Sequence, residues 1–216
     1  MNIEKARFNM IEQQIRPWNV LDKDVLDMLI VVKREEYFPE AQKSMAFFDT
    51  ELPLPAGGTA MAPRVEARIM ETLKPKKTDS VLLLGAASGY LAALLAHMAR
   101  HVTVLEAKPE LHELASKNLA KNHVHNVDLI LTPDFNAKQL GSYDIVVIAG
   151  AVTEIPEHIK QKVNLGGRLL AFVGRAPAME TLLLTRNSER EWTSASLFET
   201  IVAPLSGVSL AEPFRF

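Results

Sequence analysis

Apolar positions recur at two different spacings along this chain, and the change falls near residue 80. Before it, Ile3, Ala6, Met10, Ile11 and Ile15 return at helical spacing until Pro17, which predicts a helix ending at the proline. Leu26, Leu29 and Ile30 form a second stripe after Asp22, and residues 64–74 read as a third helix. Between 46 and 63 no period holds, and Pro53, Pro55, Gly57, Gly58 and Pro63 punctuate the stretch. A loop of that length inside a folded domain is usually functional or poorly ordered.

Beyond residue 80, short apolar runs alternate with helical segments. The runs are 80–84, 102–105, 127–131, 143–149 and 168–173; unbroken by polar alternation, they suit parallel strands buried on both faces. Helices are expected over 90–100, 109–122 and 156–163. Such alternation specifies an α/β chain with a doubly wound parallel sheet. Two last strands, near 180–186 and 196–203, have only Asn187, Ser188 and Glu189 to turn on, which predicts a C-terminal antiparallel hairpin. The expected organisation is one domain over 1–216: a helical N-terminal extension and loop (1–79), a ligand-binding core (80–174) and the hairpin (175–216).

Composition narrows the functions. Hydrophobic residues make up 48% and charged residues 23%, which is ordinary for a globular domain. A net charge of −2 gives no electrostatic pull toward a polyanion, so no nucleic-acid partner is expected. The chain has no cysteine, which removes disulfides, thiolate nucleophiles and thiolate-bound zinc. The longest apolar stretches are too short to span a bilayer, and residues 1–14 lack the apolar centre of a secretion signal; no membrane partner and a cytoplasmic location are expected. His97, His101, His112, His123, His125 and His158 show no metal-ligand spacing, so no metal is expected. The charged residues at 33–36 read as a helix end, and those at 74–77 as a solvated turn.

In an open α/β sheet, ligands bind beyond the carboxyl ends of the strands. Three features fall there. Gly85, Ala86, Ala87, Ser88 and Gly89 join the first sheet strand to a helix, where glycines permit a sharp turn and the helix N-terminus offers free N–H groups. Glu106 closes the next strand about 20 residues after the first glycine, where nucleotide-binding proteins place a carboxylate for ribose hydroxyls. Asp134 and Phe135 follow the third strand; the acid can accept from an adenine amino group, with the ring alongside. Each has an ordinary alternative, namely a plain strand-to-helix turn, a solvated strand-end acid and a turn-forming Asp after Pro133. Ala87 stands where a dinucleotide site needs its middle glycine for the pyrophosphate. S-adenosylmethionine has no phosphate to seat, so an adenosyl ligand of that kind is favoured over a dinucleotide.

These residues also resemble a known family. VLLLGAASGY at 81–90 is similar to the V-L-E-I-G-T-G-S-G-Y of protein-L-isoaspartate O-methyltransferases. Residues 143–174 resemble that family's later block, and Ala46-Phe47-Phe48-Asp49, Leu52-Pro53, Thr59 and Pro63 match its substrate-side loop. MIEQQIRP near the N-terminus and REEYFP at 34–39 fit as well. The likeness spans roughly 8–174. It implies a Rossmann-like methyltransferase fold and transfer of a methyl group from S-adenosyl-L-methionine to the carboxylate of an isoaspartyl residue in damaged protein. By position, Gly85 to Gly89 would line the methionine part of the cofactor, Glu106 the ribose, and Asp134 and Phe135 the adenine. Thr59 and its neighbours would form the lid between cofactor and substrate.

Three positions depart from the family pattern. Met61 stands where the family's lid motif carries the serine assigned to catalysis, and a thioether cannot donate a hydrogen bond. Leu83 replaces an acidic residue that would face the cofactor's amino group, and Ala87 replaces a glycine. The catalytic positions by resemblance are thus Thr59 and Met61. Two further readings stay open beside the isoaspartyl enzyme: a methyltransferase with another acceptor, such as a small metabolite, and a non-catalytic binding module.

Overall fold

The helical start of the chain follows its caps. Asn2 accepts the Lys5 N–H at 3.0 Å and opens α1 (Ile3–Met10). The apolar stripe continues through a widened turn over Ile11–Ile15 and a tight one over Arg16–Trp18, so the expected single helix loosens before Pro17, which has no N–H to continue it. Asp22 caps α2 (Lys23–Val31) by accepting the Asp24 N–H at 3.0 Å. In this computed structural model, which describes residues 2–133, 135, 139–206 and 208, the aperiodic loop is not formless. Its β1 (Leu52–Pro53) and β2 (Thr59–Ala60) pair antiparallel, Leu52 opposite Ala60. Helix α3 (Pro63–Leu73) follows, with proline in its first turn, where a missing N–H costs nothing.

The sheet is then built in order along the chain: β3 (Ser80–Leu84), α4 (Tyr90–Met98), β4 (His101–Glu106), α5 (Pro109–Lys121), β5 (Val127–Leu131), β6 (Tyr143–Val152), α6 (Glu157–Lys160), β7 (Val163–Arg175), β8 (Ala178–Arg186) and β9 (Trp192–Glu199). Its spatial order is β5-β4-β3-β6-β7-β8-β9. The first five strands in that order are parallel, and β8 and β9 add antiparallel. The chain runs outward from β3 to β5, then crosses to β6 on the other side of β3, so the winding reverses between β3 and β6. That reversal opens a crevice at the strands' carboxyl ends. Alternation within β3 divides the core: Val81 and Leu83 join one buried cluster, Leu82 and Leu84 the other. Among the described residues no helix is long and apolar enough to cross a membrane.

Two elements differ from their sequence expectation. The helix expected over 156–163 is the single turn Glu157–Lys160, because Val163 is already drawn into pairing with Tyr143. The last strand begins at Trp192, earlier than expected, since the Asn187 N–H donates to Glu191 O at 2.9 Å and closes the hairpin there. Residues 200–203 are thereby released. They double back over β6, where Ala151 N–H donates to Ala203 O at 2.9 Å and Leu205 N–H to Ala151 O at 3.0 Å. Gly150 makes the approach possible: a Cβ there would lie 2.5 Å from Leu205 Cα.

The charges at 33–36 follow the end of α2, and two of them turn inward. Arg34 and Glu35 are 1% and 2% exposed. Arg7 pairs with Glu35, and Arg34 Nε donates to Glu66 at 3.0 Å. Arg34 also donates to the carbonyls of Ala46 and Met61, while its guanidinium lies 4.9 Å from the Phe38 ring centroid and 5.4 Å from that of Tyr90. One buried cation therefore holds both ends of the 46–63 loop. Burial pushes Glu66 up to about 7, with Arg34 pulling the other way.

Arg34→Met should lower unfolding free energy by about 3–5 kcal/mol, because Glu66 is left buried without its partner, whereas Arg34→Met/Glu66→Met should recover most of the loss; urea titrations of both check this. Gly150→Ala should cost about 1–3 kcal/mol by driving a methyl into the Leu205 backbone, readable in the same titrations.

Candidate active site

Three residues of the five-residue turn after β3 adopt left-handed backbone angles: Gly85 at φ +93°, Ala87 at +48° and Gly89 at +87°. Glycine accepts this freely, but alanine gives up about 1–2 kcal/mol to do so. A strained alanine persists where its surroundings over-determine it, and here they do. Gly85 N–H donates to Leu105 O and Gly89 N–H to Ala86 O, each at 2.8 Å. From behind, Asn118 of α5 donates to the carbonyls of Ser88 and Tyr37, both at 2.9 Å.

The front of the turn is held by Glu106. Its carboxylate is fully buried and accepts three backbone N–H groups: Ala86 at 2.7 Å, Ala107 at 2.9 Å and Lys108 at 3.0 Å. A carboxylate offers about four lone-pair directions, so most of its capacity is spent on fixing the turn against the end of β4. The reserve for a ribose hydroxyl is about one direction.

Beyond this turn lies a cavity of about 290 Å³. Thr59 and Met61 line it from the loop, Gly85 and Ala87 from the turn, Glu106 from β4 and Ala149 from β6. Five sequence-predicted residues thus share one wall system. Ala86, Ser88 and Gly89 shape the turn without lining the cavity among the described residues. Leu83 is fully buried in the core, so no charge is offered from β3. Phe135 is 3% exposed and packs in the cluster that holds Leu84 and Leu105; it is not in the cavity wall. Asp134 lies outside the described residues. His123 and His125 rings stand 6.3 Å apart, and among the described residues no three His, Asp or Glu side chains gather as a metal ion requires.

Several wall residues carried no sequence signal. Val202, Ala203, Pro204, Leu205 and Ser206 reach the cavity through the returning C-terminal segment. Lys108 Nζ donates to Ala56 O at 2.6 Å and tethers the loop's rim. Glu51, half-buried, accepts the Ala203 N–H at 3.0 Å, and burial holds its carboxyl above the usual carboxylate range against that bond. Among the described residues, the ionisable groups in this wall are two acids, Glu51 and Glu106, and one base, Lys108. Such a lining gathers no cluster of cations for a polyphosphate and offers carboxyl oxygens to hydroxyl and amino groups, which the ribose and amino end of S-adenosylmethionine carry.

Comparison with known proteins identifies the family. Residues 5–209 match the family model described as protein-L-isoaspartate(D-aspartate) O-methyltransferase. A protein-L-isoaspartate O-methyltransferase from Rhodopseudomonas palustris is 34% identical over 200 residues, covering 92% of each chain. One from Methanoculleus marisnigri is 32% identical over 207 residues, covering 94% of this chain and 89% of its own. In fold, the chain superimposes with a TM-score of 0.79 on a Plasmodium falciparum structure described as a protein-L-isoaspartate O-methyltransferase in complex with S-adenosyl-L-homocysteine, at 19% identity and covering 96% and 100% of the two chains. A second structure of that name gives 0.75 at 19% identity, covering 94% of this chain and 67% of the other. With its loop, glycine turn and strand-end acid set around one crevice in that fold, this chain belongs to the protein-L-isoaspartate(D-aspartate) O-methyltransferase family.

Proposed function

We propose that this chain transfers a methyl group from S-adenosylmethionine to the side-chain carboxylate of isoaspartyl residues in peptides or proteins. The observation that carries the reading is the shared cavity: the loop's Thr59 and Met61 face the turn's Gly85 and Ala87 and the strand-end Glu106 across about 290 Å³. Cofactor and acceptor are thereby brought to one place, and placement is most of what this reaction asks of a protein.

The cofactor, when bound, supplies a methyl group already activated on a sulfonium. A side-chain carboxylate is ionised at neutral pH, so no base has to act. One acceptor oxygen attacks the methyl carbon, and the protein's share is alignment and exclusion of water. Glu106 keeps the turn in its left-handed shape, and the Lys108 tether to Ala56 keeps the loop over the cavity. Met61 contributes an apolar wall and no donor; Thr59 brings the loop's hydroxyl.

Met61 also favours a second reading, a methyltransferase whose acceptor is less polar. Incubation with methyl-labelled S-adenosylmethionine and an isoaspartyl peptide separates the two. The isoaspartyl enzyme gives base-labile label on the peptide and none on its aspartyl counterpart. Cofactor binding by calorimetry without peptide labelling favours the second reading; no cofactor binding leaves only a binding module.

A further inference from the structure

One acid in the cavity wall has no task in the mechanism above. Glu51 sits at the loop's entry to β1 and shares the cavity with Thr59 and Met61. Its Oε1 accepts the Ala203 N–H at 3.0 Å, and among the described residues its side-chain carboxyl has no other hydrogen bond and no ion pair. The charged groups around it are already engaged. Glu106 is held by three backbone N–H groups, and Lys108 by the Ala56 carbonyl. On its outer side Asp49 and Arg64 pair with each other. The second oxygen of Glu51 is therefore an unclaimed polar atom beside a wall that, at Met61, lacks a donor.

We propose that Glu51 is the acceptor-recognition residue of this chain: its protonated carboxyl donates to the acceptor's carboxylate and supplies the hydrogen bond that Met61 cannot give. The inference rests on the isoaspartyl carboxylate being the acceptor. Two carboxyl groups brought together in a partly desolvated site share one proton because they do not both ionise readily. The burial that lifts Glu51 above the usual carboxylate range acts in that direction.

The chemistry balances without a proton moving. The acceptor oxygen not bonded to Glu51 forms the new O–C bond, the S–C bond breaks, and its electron pair stays on sulfur. Glu51 keeps its proton, and the products are a methyl ester and the neutral thioether. The acceptor loses its negative charge as the ester forms, so the bond from Glu51 is strongest to the substrate and not to the transition state. It therefore lowers KM without raising kcat. Because the acid form is the active one, KM should rise as pH climbs through the raised value of Glu51.

The test is steady-state methylation of an isoaspartyl peptide by the full chain and its Glu51→Ala and Glu51→Gln variants, from mildly acidic to mildly alkaline pH. Calorimetry with S-adenosylhomocysteine runs in parallel as a check on folding and the cofactor site. Expected are a KM about tenfold to a hundredfold higher for Glu51→Ala, unchanged S-adenosylhomocysteine affinity, and a KM for Glu51→Gln that stays low and no longer varies with pH, since the amide N–H donates at every pH. A wild-type KM in Glu51→Ala, or wild-type pH dependence in Glu51→Gln, overturns the proposal while leaving the isoaspartyl reading intact. No labelling of the peptide by wild type that binds the cofactor overturns both.

Discussion

A carboxylate taken out of water must find donors to replace the water it loses, and at the end of β4 the donors are backbone amides. Glu106 is fully buried and gathers three of them, from Ala86, Ala107 and Lys108. Charge-assisted bonds of this kind are the strong ones, and this set joins two segments about 20 residues apart in sequence. It fixes where the turn after β3 sits relative to β4, and so where the floor of the cavity lies. The left-handed Ala87 directly follows Ala86, one of the three residues so held. What the resemblance assigns to Glu106 as a ribose ligand is thus shared with an architectural role, in which the acid builds the surface that the ligand meets.

The remaining walls come from far along the chain, each tied down by a small set of polar contacts. Arg34 secures the 46–63 loop by grasping Ala46 and Met61 carbonyls while paired with Glu66. The C-terminal segment is secured by its two backbone bonds to Ala151, and the Glu51 carboxylate joins that segment to the loop. This side of the cavity is therefore formed where an N-terminal loop and a C-terminal return meet over the sheet. Its polarity is set by Glu51, Thr59 and Met61.

The parallel strands, the turn and Glu106 were legible in the sequence because each obeys a local rule. Buried parallel strands read as unbroken apolar runs, and a strand-end acid keeps its distance from the glycine turn. The β3 run of 80–84 appears at those bounds as Ser80–Leu84. Arg34 and Glu35 were read only as part of a helix end, and their burial was not legible because it is decided by partners distant in sequence, here Glu66 and Arg7. Glu51 and residues 202–206 carried no signal, since their place at the cavity depends on a hairpin register and a return path that no local pattern encodes. Phe135 shows another limit: its place after β5 suggested a ring beside a ligand, and the structure puts its side chain in the buried cluster that also holds Leu84 and Leu105. Leu83 was recognised as a lost charge, and its burial gives the reason it is tolerated, since an apolar side chain belongs at a site closed on all sides.

The account stands most directly on the link between Glu106 and ligand binding. The decisive measurement is calorimetric titration of S-adenosylhomocysteine into the wild-type chain and Glu106→Gln. The amide keeps the shape but turns an NH₂ toward backbone N–H groups that need acceptors, so the turn loses its hold. Clear binding by wild type, weakened at least about tenfold in Glu106→Gln, is the predicted result. Equal affinity in the two proteins would contradict it.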